Sequence, residues 1–163
     1  QIKRALERNR FTKGSFCGVF AADQIPKILD TFPCGFVANT DPSTEPGTHW
    51  VAFYFPTQEE GEFFDSYGHP PEYHGESFQF HEPLTWNKRK IQSSWSEVCG
   101  QYCIFYLYHK SRGYSMSKIV NMFTNNTSFN DCNVACYVKN HFNIVIENQP
   151  FCGLKQCCKA LLK

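Results

Sequence analysis

Continuous apolar runs predict the strands of this chain. Trp50–Phe55 is apolar or aromatic at all six positions, which is typical of a strand covered on both faces. A turn-forming stretch at 56–61 follows, and Glu62–Asp65 then predicts the return strand of a hairpin. The shorter run Gly35–Thr40 predicts one more strand, before a loop rich in proline. A hairpin turning at residues 58–59 sets Asp65 opposite Ala52.

A long apolar block in the second half predicts a buried helix at the centre of the domain. Gly100–Tyr108 is almost entirely apolar or aromatic, Ser96 is a candidate N-cap, and the helix is expected to end near Gly113. A further helix is predicted over Ser115–Phe123. Helical spacing after Asp131, a candidate cap, predicts the last one.

Less regular segments give weaker predictions. Residues 1–10 are polar and basic, which favours a frayed terminus or a short helix. Ile25–Phe32 is compatible with one or two helical turns ending at Pro33. The alternation of Phe78 and Phe80 favours a further strand.

Composition indicates one globular domain over residues 1–163. Hydrophobic residues make up 42% and charged residues 19%, with 16 Phe, which is too aromatic for a disordered chain. The net charge of +1 gives no electrostatic case for a nucleic acid or an anionic membrane. With strands first and helices later, and no repeat or linker, the expected fold class is α+β.

Nine cysteines require an explanation. Their number is odd and several lie inside apolar patterns, so we expect reduced, intracellular thiols. Zinc is the rival interpretation for a set of six residues, namely Cys132, Cys136, His141, Cys152, Cys157 and Cys158. The chain has no Cys-x2-Cys knuckle, and Cys132 and Cys136 fall inside a helical pattern. We therefore expect no metal site and no cofactor.

Cys99 has the best environment for a reactive thiolate. It lies between the polar loop 93–97 and the start of the apolar helix, and a helix N-terminus favours a thiolate. Gly100 directly after it leaves space for a substrate backbone. Taken alone, the position is also typical of an ordinary buried thiol.

Two residues of the predicted hairpin complete a nucleophilic arrangement. His49 stands at a loop-to-strand junction, where a base is fixed by the strand and open to a cleft. Asp65 ends the partner strand within reach of His49 and can orient the imidazole. Taken singly, these residues also fit a surface histidine and a turn aspartate.

Gln92 is the candidate oxyanion donor. A neutral amide beside the thiolate can pair with the backbone N–H of Cys99 to bind the oxyanion. Without other information, a solvated loop glutamine is the more common interpretation.

The four candidates occur in the order histidine, acid, glutamine, cysteine within three motifs: Gly47-Thr48-His49-Trp50, Phe64-Asp65-Ser66-Tyr67-Gly68, and Gln92 followed after six residues by Cys99-Gly100. This arrangement resembles the adenovirus protease (adenain) family, and more broadly the clan of ubiquitin-like-protein-specific proteases. The likeness runs from about Gly35 to the last helix. The tail 151–155 is also similar to the family's C-terminus.

The resemblance implies a papain-like cysteine protease domain in permuted chain order, with a central buried helix on a mainly antiparallel sheet. It implies cleavage after glycine in aliphatic-x-Gly-x-Gly or aliphatic-x-Gly-Gly-x motifs. Trp50 corresponds to an aromatic wall of a narrow glycine channel, with Gly100 beside it, although simple core packing explains Trp50 equally well.

The resemblance also implies a biological setting. Such proteases mature viral structural proteins, and relatives occur in virus-like DNA transposons. We expect polypeptide substrates such as viral precursor proteins, no membrane partner, a monomer, and an intracellular location in the host nucleus or virion.

The chain departs from the adenoviral pattern in three ways. It has Asp65 where those enzymes carry glutamate, it is shorter between Asp65 and Gln92, and it has no cysteine in that interval. The family's disulfide-linked activator peptide therefore has no matching cysteine here. We expect activator-free turnover or a non-covalent activator peptide, with weak or absent DNA stimulation.

Two alternatives remain open. A ubiquitin-like-protein-specific protease would use the same chemistry on a different substrate. A non-catalytic binding module would explain the aromatic richness but would not require the four-residue arrangement.

Overall fold

The computed structural model describes residues 1–142, and its strands form one five-stranded sheet in sequence order. The strands are β1 (Phe16–Phe20), β2 (Cys34–Asn39), β3 (Trp50–Phe55), β4 (Glu62–Phe64) and β5 (Thr85–Trp86). The central strands β2, β3 and β4 are antiparallel, while both edge strands pair in parallel. The expected antiparallel arrangement thus holds for the centre of a mixed sheet.

The helices of the described part lie mostly after the sheet. They are α1 (Ile2–Arg8), α2 (Cys99–Lys110), α3 (Met116–Val120) and α4 (Thr127–Phe142). Every residue of α2 from Cys99 to His109 is buried, so the predicted central buried helix is confirmed. The α+β class is confirmed with it.

Strand β3 is apolar throughout because both of its faces are covered. Ala52 and Tyr54 belong to the core cluster that contains α2, and Phe53 and Phe55 belong to a second cluster on the opposite face. Phe53 is fully buried and stacks on Phe36 at 4.7 Å between ring centroids. Burial of each such side chain contributes about 1.5–3 kcal/mol, which fixes β3 as the scaffold beside the site.

Hairpin β3–β4 forms as predicted, but its register differs by one residue. Phe64 lies opposite Ala52, so Asp65 comes one position beyond the expected pairing and directly after the last residue of β4. Successive residues of a strand point to opposite faces of the sheet, and paired residues share a face. Phe64, rather than Asp65, therefore shares the face of Ala52.

Two predicted elements are wrong. Ile25–Phe32 forms no helix: the short 3₁₀ turn Ala22–Gln24 ends before it, and Pro26 within the segment and Pro33 after it disfavour helical backbone in the residues that precede them. Phe78 and Phe80 are not in a strand. Phe78 ends a 3₁₀ turn over Glu76–Phe78 and is buried in the second core cluster, and Phe80 packs against that cluster from beyond the turn.

Two predicted caps also differ. The N-cap of α2 is Val98, not Ser96, and it makes no side-chain capping bond. Asp131 is a buried residue inside α4, because that helix begins at Thr127. Ser115 does cap α3, accepting a 3.2 Å hydrogen bond from the Lys118 N–H.

The expectation of reduced thiols is wrong for Cys17 and Cys34, which form a disulfide between the neighbouring strands β1 and β2. Cys136 is also disulfide-bonded. The tail motif at 151–155 and the zinc candidates Cys152, Cys157 and Cys158 lie outside the described residues. Within residues 1–142, no helix combines the length and the apolar character needed to cross a membrane.

Candidate active site

Cys99 is the first residue of the buried helix α2. The residue is only 6% exposed, and no side chain caps the start of the helix. The backbone N–H groups of the first helical turn have no partner within a helix, so those of Cys99 and Gly100 are available as donors. The helix dipole places positive potential at the same end.

His49 lies directly before β3, between Asp65 and Cys99. Its Nε2 atom is 2.8 Å from Asp65 Oδ1, and its side chain is 12% exposed. The ring stacks on Tyr67 with 4.8 Å between centroids. Its backbone carbonyl accepts a 2.9 Å hydrogen bond from the Thr40 N–H, which holds the junction before the strand.

The pKa of His49 reflects competition between burial and two partners. Burial lowers the pKa, but hydrogen bonds and negative charge from Asp65 and Cys99 outweigh it and raise the pKa to about 9. His49 is therefore an imidazolium near neutral pH, held between the Asp65 carboxylate and the Cys99 side chain.

The Asp65 carboxylate is fully buried and held from several sides. Its Oδ1 atom accepts from His49 and from the Tyr67 N–H at 2.8 Å, and its Oδ2 atom faces His69 and His74. Burial raises the pKa of Asp65, yet the hydrogen bonds from His49 and His74 and the charge of His49 bring it well below its usual range. The carboxylate is thus ionised when it faces His49.

Asn87 fixes the backbone of Asp65. The Asn87 side chain accepts from the Asp65 N–H at 3.0 Å and donates to the Asp65 carbonyl at 2.7 Å. This amide replaces the hydrogen bonds that a longer β4 would have supplied. The sequence offered no periodic signal for this role.

The turn after Asp65 packs tightly on the segment before Gln92. Gly68 has φ +78°, and a Cβ there would lie 2.6 Å from the backbone carbon of Arg89. The Ser66 carbonyl accepts from the N–H groups of Ile91 and Gln92 at 2.9 and 3.1 Å. Glycine is therefore required sterically, and the acid turn and the glutamine segment form one rigid unit.

Gln92 is completely buried. Its Oε1 atom accepts a 2.5 Å hydrogen bond from the Ser66 hydroxyl. Its Nε2 atom donates to the Ser96 carbonyl at 2.8 Å and to the Ser96 hydroxyl at 3.2 Å. These contacts fix the orientation of the amide, whereas its role as an oxyanion donor stays a prediction.

Asp131 connects α4 to the loop that holds Gln92. Its carboxylate accepts from the Ser93 N–H at 3.2 Å and from the Tyr102 hydroxyl at 2.9 Å. Burial raises the pKa of Asp131, while hydrogen bonds from Ser96, Tyr102 and Ser93 oppose that shift. The sequence pattern identified Asp131 only as a helix cap, and the polar residues around it in α4 gave no sign of its burial.

Trp50 and Gly100 lie next to each other at a cavity of about 290 Å³. A Cβ on Gly100 would be 3.7 Å from the Trp50 ring and 3.0 Å from Ile2. Val19, Glu97 and the chain start at 1–3 also line this cavity. The start of α1 is thus part of the cleft wall, which the sequence did not predict.

Comparison with known proteins identifies no family. No protein-family model matches the chain, and no curated protein matches it. The chain is similar in structure to the selenomethionine crystal structure of the ASFV pS273R protease, with 24% sequence identity and a TM-score of 0.43. The likeness covers 70% of this chain and 46% of that one, so the chain spans less than half the length of that protease.

Proposed function

We propose that the chain is a cysteine endopeptidase with Cys99 as nucleophile, His49 as base and Asp65 as the orienting acid. One observation carries the proposal: His49 interacts with a buried carboxylate on one side and with the thiol at a helix N-terminus on the other. That arrangement supplies nucleophile, proton carrier and orienting group in hydrogen-bonded sequence.

In this mechanism the Cys99 thiolate attacks the scissile carbonyl carbon, and His49 donates its proton to the leaving amine. Water then attacks the thioester carbonyl while His49 accepts a proton from that water. The carboxylic acid product is released, and the Cys99 thiolate is regenerated. The backbone N–H of Cys99 binds the oxyanion in both steps, together with an amide N–H that Gln92 turns from Ser96 towards the oxyanion.

We further propose that the substrate carries glycine immediately before the scissile bond. Trp50 and Gly100 support this, because the indole ring narrows the cleft on the side where Gly100 leaves room for a backbone. A side chain at the substrate glycine would collide with the ring. The aliphatic-x-Gly-x-Gly and aliphatic-x-Gly-Gly-x motifs follow from the resemblance stated above.

The proposed biological role is maturation of structural proteins of a virus or virus-like DNA transposon, in the host nucleus or virion. It rests on the same resemblance, as does the expectation of a monomer that needs no disulfide-linked activator. Cleavage of folded ubiquitin-like fusions, rather than precursor peptides, would favour the other protease class.

The test is hydrolysis of a peptide panel that carries the two glycine motifs, their alanine counterparts and a ubiquitin-like fusion. The parent chain should cleave glycine peptides, and Cys99→Ala should not. Cys103→Ala is the matched control, because Cys103 lies four residues further along α2, and burial raises the pKa of that thiol well above its usual range. Equal loss in both variants, or no cleavage of any peptide by the parent, would contradict the proposal.

A further inference from the structure

The Asp65 carboxylate has a second face that the proposed mechanism does not use. Its Oδ1 atom serves His49, but its Oδ2 atom lies 3.1 Å from His69 Nδ1 and 3.2 Å from His74 Nε2. Two further imidazoles therefore meet the same carboxylate away from the nucleophile.

Oδ2 has more nitrogen neighbours than its lone pairs accommodate. The His69 backbone N–H is also 3.3 Å away, so three donors converge on an oxygen that offers about two lone-pair sites. Asn87 already holds the Asp65 backbone, and the Tyr67 N–H already holds its carboxylate through Oδ1. Hydrogen bonding of the carboxylate therefore does not by itself explain why two imidazoles lie against this oxygen.

We propose that Asp65 Oδ2, His69 Nδ1 and His74 Nε2 bind a divalent transition-metal ion such as Zn²⁺, and that its binding inhibits the peptidase. The binding half stands on the geometry of these three residues alone. The inhibition half rests on the proposed function of Asp65.

The ligand set fits zinc in type and spacing. All three ligand atoms lie within 4.8 Å of one another. Ligands at roughly 2.0–2.1 Å from a tetrahedral zinc ion are roughly 3.3 Å apart, close to both distances from Oδ2. Each imidazole would carry its ring proton on the opposite nitrogen, so coordination needs no co-reactant, and water would complete the shell.

The neighbouring side chains provide both rigidity and access. His74 is 7% exposed at its side chain and packs against Phe63 and Phe78, with ring centroids 5.7 and 5.5 Å away. His69 stacks on Tyr73 at 4.0 Å and is 39% exposed at its side chain. An ion can therefore enter past His69 and meet preoriented ligands.

Inhibition follows because one carboxylate serves both sites. A cation on Oδ2 draws negative charge away from the group that orients and stabilises the His49 imidazolium. Zinc at this site would therefore reduce turnover while leaving Cys99 itself untouched.

Binding is tested by titrating Zn²⁺ into Cys99→Ala, which removes the thiolate as a competing ligand, and into the same chain with His69→Ala added. His69→Ala is preferred to His74→Ala because His69 is the more exposed ligand. His81→Ala in the same background is the control, since His81 is an exposed histidine with a carboxylate neighbour, Glu82. Co²⁺ in place of Zn²⁺ distinguishes nitrogen and oxygen ligands from cysteine sulfur by the absence of thiolate charge-transfer absorption.

We expect Cys99→Ala and its His81→Ala derivative to bind one equivalent more tightly than the His69→Ala derivative, by about tenfold or more. Equal affinity in all three chains would overturn the site. With Cys99 intact, zinc should inhibit the parent at concentrations that spare His69→Ala, and equal inhibition would overturn the regulatory half. If the parent chain shows no peptidase activity, the proposed function is wrong. The zinc titration still shows whether Asp65, His69 and His74 bind the ion.

Discussion

The hydroxyl of Ser66 donates a 2.5 Å hydrogen bond to the side-chain oxygen of Gln92. Ser66 immediately follows Asp65, so the acid and the candidate oxyanion residue are joined through adjacent residues. Both partners are almost completely buried, and this contact holds the oxygen end of the Gln92 amide while Ser96 holds the nitrogen end.

Ser66→Ala should lower kcat by about tenfold or less and leave KM nearly unchanged. One buried hydrogen bond contributes about 0.5–1.5 kcal/mol, and its loss lets the amide rotate away from the oxyanion. Steady-state kinetics on a glycine peptide measures this. Ser94→Ala is the control, because Ser94 is exposed and contacts only Lys90 among the described hydrogen bonds. A change in KM alone would indicate a binding role instead.

Gln92→Ala should lower kcat by about 10²-fold or somewhat more, as expected for loss of one oxyanion donor. Steady-state kinetics on glycine peptides gives kcat and KM separately for the parent and the variant. The fold should be checked by thermal unfolding, since Gln92 also anchors Ser96. An effect confined to KM would contradict the oxyanion role.

Asp131→Asn should lower kcat by acting through Gln92, because Asp131 holds the Ser93 N–H of the loop that receives the Gln92 amide. A double-mutant cycle separates this from general destabilisation. If Asp131 is a positioning residue, Gln92→Ala with Asp131→Asn should be about as active as Gln92→Ala alone. Additive losses would show that Asp131 acts independently of Gln92.

Activity should fall at high pH as His49 loses its proton. With the pKa of His49 raised to about 9, the alkaline limb of kcat/KM should lie near pH 9, measured with a chelator present. Asp65→Asn should move that limb to lower pH, because it removes the carboxylate that raises the pKa. An unchanged limb in Asp65→Asn would contradict the contact between the two residues.

The same shift makes stability depend on pH. A folded-state pKa of about 9, above the ordinary value of 6.5, means that this stabilisation is complete below pH 6.5 and is lost as pH rises through 9. The melting temperature, measured by thermal unfolding from pH 6 to pH 10, should therefore fall more steeply for the parent than for His49→Ala. The lowered pKa of Asp65 acts in the opposite direction, so its contribution is lost only in acid.

Alanine in place of the glycine before the scissile bond should abolish most cleavage, and Trp50→Ala should relax that discrimination. The indole ring forms the wall of the cavity beside Gly100, so removing it makes room for a methyl group. The ratio of kcat/KM for glycine and alanine peptides measures this in parent and variant. Equal cleavage of both peptides by the parent would rule out a glycine channel.

The sequence predicted the elements whose signal is local. The apolar run of β3 and the apolar block of α2 were sufficient to place both, because each is buried at every position except one end residue. The register of the hairpin was off by one residue, since the turn at 56–61 has no fixed two-residue geometry.

Contacts between distant segments were beyond the sequence. The Asn87 clamp and the Asp131 anchor depend on side chains that meet only after folding, at separations of 22 and 38 residues. The two imidazoles on Asp65 come from residues only four and nine positions later, but in an irregular segment. A polar residue in a loop or inside a helix has the same local pattern whether it is solvated or buried with a partner.

The central claim is that Cys99 is a thiolate activated by His49, and site-resolved labelling with limiting iodoacetamide tests it most directly. Mass spectrometry after brief labelling at neutral pH should find Cys99 modified first, ahead of Cys103, and at a much lower rate in His49→Ala. Labelling of other thiols before Cys99, or an unchanged rate at Cys99 in His49→Ala, would contradict the account.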